Sequence, residues 1–81
     1  MDNFSKMYET WFDRLVPVAA AVLNGDTAGA EDIVQDVFVK LCEKKIEIRN
    51  PESYLMQAIT REAINELHRR TRRGIILDTA I

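Results

Sequence analysis

The 81-residue chain holds one cysteine, one histidine, two prolines and three glycines. Each scarcity closes off a class of function. A lone Cys42 can build neither a disulfide framework nor a cysteine metal cluster, and it fits a reducing, cytoplasmic setting. His68 has no second imidazole or thiolate at ligand spacing, so a zinc site or a Cys/His nucleophile pair is not expected. There is no glycine-rich phosphate loop. No apolar run approaches the ~20 residues needed to span a bilayer. The opening MDNFSKMYETWF is acidic where a secretory signal would be basic. Asp32 and Asp36 face one way, but no third ligand stands in register with them. We therefore expect no catalytic residue, no metal site and no cofactor.

The chain is 47% hydrophobic and 30% charged, which is ordinary for one small folded domain. So short a chain buries a limited share of its surface, and its stability should be modest. The net charge of −2 hides an asymmetry. Residues 1–43 carry the cations Lys6, Arg14 and Lys40 against eight acids, whereas residues 61–73 carry five arginines against two glutamates. An acidic first half and a basic end suggest two different partners. Cations at a helix C-terminus also complement its dipole, which is the simpler account of the arginines.

Apolar periodicity marks three helices. The first covers about Phe4 to Leu23, where Tyr8, Trp11, Phe12, Leu15, Val18, Ala19 and Val22 recur at three- and four-residue steps. Asp2 or Asn3 can cap it. Pro17 lacks the N–H that Asp13 would accept from, so a kink or a split is expected there. Gly25 suits a left-handed cap after it. The second helix starts near Ala28 behind Asp26 or Thr27 and ends near Lys44 or Lys45. Its buried face is Ile33, Val34, Val37, Phe38, Leu41 and Cys42. Ile46 and Ile48 alternate with charges, but a single short strand has no partner, so this stretch reads as a loop. Asn50-Pro51-Glu52 is a strong start signal for the third helix. Leu55, Ile59, Ala63 and Leu67 form its inner stripe, flanked by Met56, Ala58 and Ile64, and Gly74 ends it. The fold class is all-α: a compact three-helix bundle over residues 1–74 with a long, basic third helix. Residues 75–81 read as the start of a flexible interdomain linker.

Two surfaces stand out. On the second helix, Asp32, Gln35, Asp36, Val39 and Glu43 share one side. Lys40 offers Asp36 one i,i+4 partner, and the other acids have none. Solvent is the ordinary partner for such a face, yet acid, amide and aliphatic groups together also suit a protein-binding surface. On the third helix, Gln57, Thr60, Arg61, Ile64, Asn65, His68 and Arg72 form the outer side, with Arg69 beside them. Arg49, Asn50, Ser53 and Tyr54 lie at its start. Arginines grip phosphates and amides read base edges, while a tyrosine can stack on an unstacked base or simply pack on the bundle.

The segment YETWFDRLVPVAAAVLNGDTAGAEDIVQDVFVKLCEKK, followed by NPESYLMQAITREAINELHRRTRR, resembles region 2 of bacterial RNA polymerase sigma factors, in the extracytoplasmic-function group. The similarity spans roughly Phe4 to Arg73. AEDIVQDVF carries it best, with Asp32, Val34, Gln35, Asp36 and Phe38 matching the family pattern. The Asn50-Pro51 start, Tyr54-Leu55 and the basic tail after Leu67 follow in order. The chain departs from the usual pattern in having Tyr54 for a tryptophan, Arg61 for a frequent asparagine and Gln57 for a basic residue. Its Pro17 sits deeper in the first helix than the family's usual proline. The resemblance implies that the second helix docks on the coiled coil of the polymerase's largest subunit through Asp32, Gln35 and Asp36. It implies that the third helix, with the loop Ile46–Ser53, recognises the minus-ten promoter element as it opens and captures a flipped base. It also implies a second, helix-turn-helix domain outside these residues, and leaves room for an anti-sigma factor as a further partner. The alternative is a stand-alone helical interaction module that regulates polymerase without touching DNA.

Overall fold

A computed structural model of the chain describes the backbone of residues 3–44 and 48–79, and the side chains of 5–44 and 48–72. It contains three helices: α1 (Asn3–Val22), α2 (Thr27–Lys44) and α3 (Pro51–Thr79). Each packs against the other two. No strand is present among the described residues. The expected all-α three-helix bundle is the observed architecture.

The core is built where the three stripes meet. Leu15 and Ala19 of α1, Val34, Val37, Phe38 and Leu41 of α2, and Leu55, Ile59 and Ala63 of α3 are buried together. Phe38 is its largest fully buried side chain. The Tyr8 ring meets the edge of Phe38 at 5.1 Å between centroids and stacks on Phe12 at 5.1 Å. This aromatic cluster ties the N-terminal half of α1 to α2, in the offset and edge-on geometries that the ring quadrupoles favour. Small Ala19, Ala30 and Ala63, each at 0% exposure, let the helix backbones approach closely.

Local chemistry sets the helix ends. α1 closes with Asn24 at φ 59° and Gly25 at φ 88°. The Gly25 N–H donates to the Ala20 carbonyl at 2.7 Å, the long bond of a Schellman closure. The first left-handed residue is thus Asn24 rather than Gly25; asparagine tolerates that region better than most side chains. The Asp26 carboxylate accepts from the Gly29 N–H at 3.0 Å and caps α2. The Asn50 side chain accepts from the Ser53 N–H at 3.2 Å, and its carbonyl accepts from Tyr54 N–H at 3.1 Å, which starts α3 behind Pro51.

Several expectations are corrected. Of the kink and the split expected at Pro17, the split is not seen: α1 is one helix across it. Pro17 and Asp13 are both exposed, so the carbonyl that Pro17 leaves without a donor faces solvent and the helix continues. α3 does not stop at Gly74 but extends to Thr79; one helical glycine costs only about 1 kcal/mol against alanine, and no proline follows to enforce a stop. Cys42 is exposed rather than buried, because the inward stripe of α2 ends on Leu41. The cap assigned to Asp2 or Asn3, and residues Lys45, Ile46 and Glu47 of the expected loop, lie outside the described residues.

Candidate functional site

The α2 stripe forms as expected. Asp32, Gln35, Asp36, Val39 and Glu43 are all exposed, because the opposite face of α2 carries Val34, Val37, Phe38 and Leu41 into the core. The Lys40 ammonium lies 3.1 Å from Asp36 and 4.0 Å from Glu62 on α3. Asp36, then Glu62, raise the Lys40 pKa above its ordinary value. The stripe is not isolated from the arginines. Asp32 and Asp36 border a cleft of about 240 Å³ whose far wall is Glu62, Glu66, Arg69 and Arg70 of α3. The acids therefore lie along a seam between α2 and α3, with cations across it.

A tie that the sequence does not announce closes one end of this seam. Arg70 Nη2 is 2.8 Å from Asp26 Oδ2, and Arg70 Nε donates to Glu66 Oε2 at 2.9 Å. Arg69 donates to Glu66 Oε1 at 2.7 Å. Asp26 is held below its ordinary carboxylate value first by the Gly29 amide and then by Arg70. Glu66 is lowered by Arg70 and then Arg69. The basic end of α3 is thus pinned to the cap of α2, and one side chain, Asp26, serves both helices. Asp26 and Arg70 are far apart in sequence. The local hint is Gly29, a glycine in the first turn of α2. A Cβ built there would meet Asp26 Oδ2 at 2.5 Å and Arg70 Nη2 at 2.6 Å.

The α3 candidates divide. Gln57, Thr60, Arg61 and Asn65 come together around a shallow outer depression of about 470 Å³ whose apolar part is Met56 and Ile64. Met56 therefore faces outward rather than flanking the inner stripe. His68 and Arg72 are exposed further along the helix, and Arg49 and Ser53 are exposed at its start. Asn50 is spent in part on the α3 cap. Arg69 turns away from this group toward Glu66 and the α2 seam. Tyr54 is exposed and borders a third cleft, between α2 and α3, with Lys40, Lys44 and Arg61. Of the α3 arginines with described side chains, Arg69 and Arg70 are engaged internally, while Arg61 and Arg72 have no ion-pair partner among the described residues.

No group of three His, Cys, Asp or Glu side chains among the described residues could hold a metal ion. Buried polar or charged residues are lacking among the same residues. No helix is long and apolar enough to cross a membrane, among the described residues. Comparison with curated proteins and with solved structures gave no match. The model of the Sigma-70 region 2 family matches residues 7–73, which include all of α2 and both candidate faces. By that match the chain belongs to the Sigma-70 region 2 family, the sigma-factor domain that binds RNA polymerase and recognises promoter DNA in transcription initiation, and not to a family of enzymes.

Proposed function

We propose that this domain acts in the extracytoplasmic-function manner, with α2 docking on core polymerase and α3 taking the minus-ten element as a single strand. Asp32, Gln35 and Asp36 meet basic and polar groups on the coiled coil of the largest subunit, with Val39 and Glu43 beside them. Ionic contacts of this kind set register and speed of encounter more than affinity. On α3, Tyr54 and the outer face take unstacked bases, and Arg49, Arg61 and Arg72 meet phosphates. Stacking and hydrogen bonds to captured bases offset the cost of unstacking them. The domain works in the cytoplasm.

One observation carries this reading. The large hydrophobic side chains exposed among the described residues are Val39 at 52%, Met56 at 40%, Ile64 at 38% and Tyr54 at 37%. One sits in the acid stripe and three on the face or start of α3; α1 contributes none. Apolar surface left out of so small a core, and gathered on two polar faces, is what binding surfaces require.

Two measurements test it. Co-purification with core polymerase should fail or weaken strongly for the Asp32→Ala, Gln35→Ala, Asp36→Ala triple variant. Retention equal to wild type would remove α2 from docking. With core present, fluorescence anisotropy should show preference for single-stranded promoter DNA over the same duplex. A preference for duplex would rule out base capture.

A further inference from the structure

We infer that the cleft between the end of α2 and the start of α3 is a subsite for one backbone phosphate of single-stranded DNA, held by Lys44 and Arg61. The inference deepens the single-strand reading above and rests on it. The cleft has a volume of about 130 Å³. That is roughly four times a water molecule's share of liquid volume, room for a phosphate group and its nearest waters but not for a duplex. Val37 and Leu41, both buried, contribute its apolar lining, and charges beside such a surface interact more strongly than in open water.

The walls are cationic once their internal pairs are counted. Lys40 lies with Asp36 at 3.1 Å and Glu62 at 4.0 Å, so the acid that lines the cleft already has a cation. Lys44 and Arg61 have no such partner among the described residues. Two unpaired cations on different helices line one small concavity, and an anion held there would offset their mutual repulsion. The neighbours say which anion. The Tyr54 ring borders the same cleft and offers a stacking surface for the base attached to that phosphate. Arg61 borders both this cleft and the outer depression with Gln57 and Asn65. It forms a post between them. A strand lying in the cleft therefore crosses Arg61 and continues along the amide-bearing face of α3. Lys44 belongs to the helix otherwise assigned to polymerase, so this subsite puts one DNA contact on α2.

The test is a salt titration with labelled single-stranded promoter DNA at saturating core polymerase, with co-elution confirming that core stays bound. Each phosphate contact on a single strand contributes about 0.7 to the slope of log affinity against log salt. Lys44→Gln and Arg61→Gln should each weaken binding several-fold and flatten the slope by about 0.7. Lys44→Arg should restore it. Arg14→Gln makes the same change of charge on α1, where Arg14 lies over Trp11, and should leave the slope as in wild type. If Lys44→Gln keeps the wild-type slope, or Arg14→Gln lowers it equally, the subsite is wrong while the single-strand reading stands. If wild type does not bind single strands, both fall.

Discussion

Gly29→Ala separates a structural glycine from an incidental one. In an ordinary helix the change stabilises by about 1 kcal/mol, through lower backbone entropy in the unfolded chain. For a domain of this size that is a rise of about 4–8 °C in Tm. Here the new Cβ would lie 2.5 Å from Asp26 Oδ2, 2.6 Å from Arg70 Nη2 and 3.0 Å from Asp26 Cγ. Arg70 is long and can retreat. Asp26 is short, and its other oxygen accepts from the Gly29 amide at 3.0 Å, so its carboxylate cannot swing away without loosening the cap. We expect Tm to stay level or fall, and Arg70 to leave Asp26. The same substitution made on an Asp26→Ala background meets no carboxylate and should recover the rise, measured against Asp26→Ala alone. This is a double-mutant cycle with opposite signs in its two arms. Thermal melts followed by circular dichroism at 222 nm, the standard helix signal, read it directly. A rise of about 4–8 °C in the single Gly29→Ala variant would refute the reasoning.

Two further predictions follow from the core and the ion pairs. Phe38→Ala removes the largest fully buried side chain and the edge contact to Tyr8; at about 3–5 kcal/mol against a total of about 0.05–0.15 kcal/mol per residue, it removes a large share of the stability, and urea melts should show a strongly lowered midpoint. A cooperative melt near that of wild type would contradict the packing described. Asp26 and Glu66 are held below their ordinary values of 3.8 and 4.5. A depressed carboxyl contributes its stability above the ordinary value and loses it as pH falls through the lower, folded one. The stability gap between wild type and Arg70→Gln, followed by urea midpoints, should therefore be fully open at neutral pH and narrow below pH 4.5 and then 3.8. High salt should narrow it as well, because these groups are partly exposed. A gap independent of pH would assign Arg70 a packing role instead.

Features set by neighbours in the sequence were legible in it. The Asn50-Pro51 start, the Asp26 cap, the exposed stripe from Asp32 to Glu43 and the Leu55-Ile59-Ala63 inner stripe each follow from spacing alone. Features set by another helix were not. Met56 reads as a flank of the inner stripe, but the two other helices among the described residues do not reach round to cover it. Cys42 reads as buried because it follows Leu41, yet α2 turns its last residues to solvent. Pro17 is tolerated because it and Asp13 face outward, which depends on where the core lies. Arg69 reads as part of one basic surface with Arg61 and Arg72, and Arg70 counts only toward the basic end. Three and four residues after Glu66, they lie on the side of α3 that faces α2, and the Asp26 contact that decides the role of Arg70 comes from a distant part of the chain.

That partition changes what the basic end of α3 implies. Counted in sequence, residues 61–73 hold five arginines and suggest a strong electrostatic grip on nucleic acid. Counted in the structure, Arg69 and Arg70 pair with Glu66 and Asp26, so part of their charge is already balanced. Arg61 and Arg72 remain outward, with Arg49 and Lys44 near the start of α3. Affinity that comes from counterion release scales with the number of phosphates neutralised, so on the proposed reading these four outward cations among the described residues set the salt dependence. The rest of the surface is dominated by acids, which repel a backbone approaching from the wrong side. On the proposed reading, a domain so arranged would gain specificity by excluding most orientations and lose affinity, and a second attachment would help to hold it on DNA. The acid stripe of α2, repelled by phosphates and open to cations, is suited to supply that attachment on a protein, and the gain comes from effective concentration rather than from any new DNA contact.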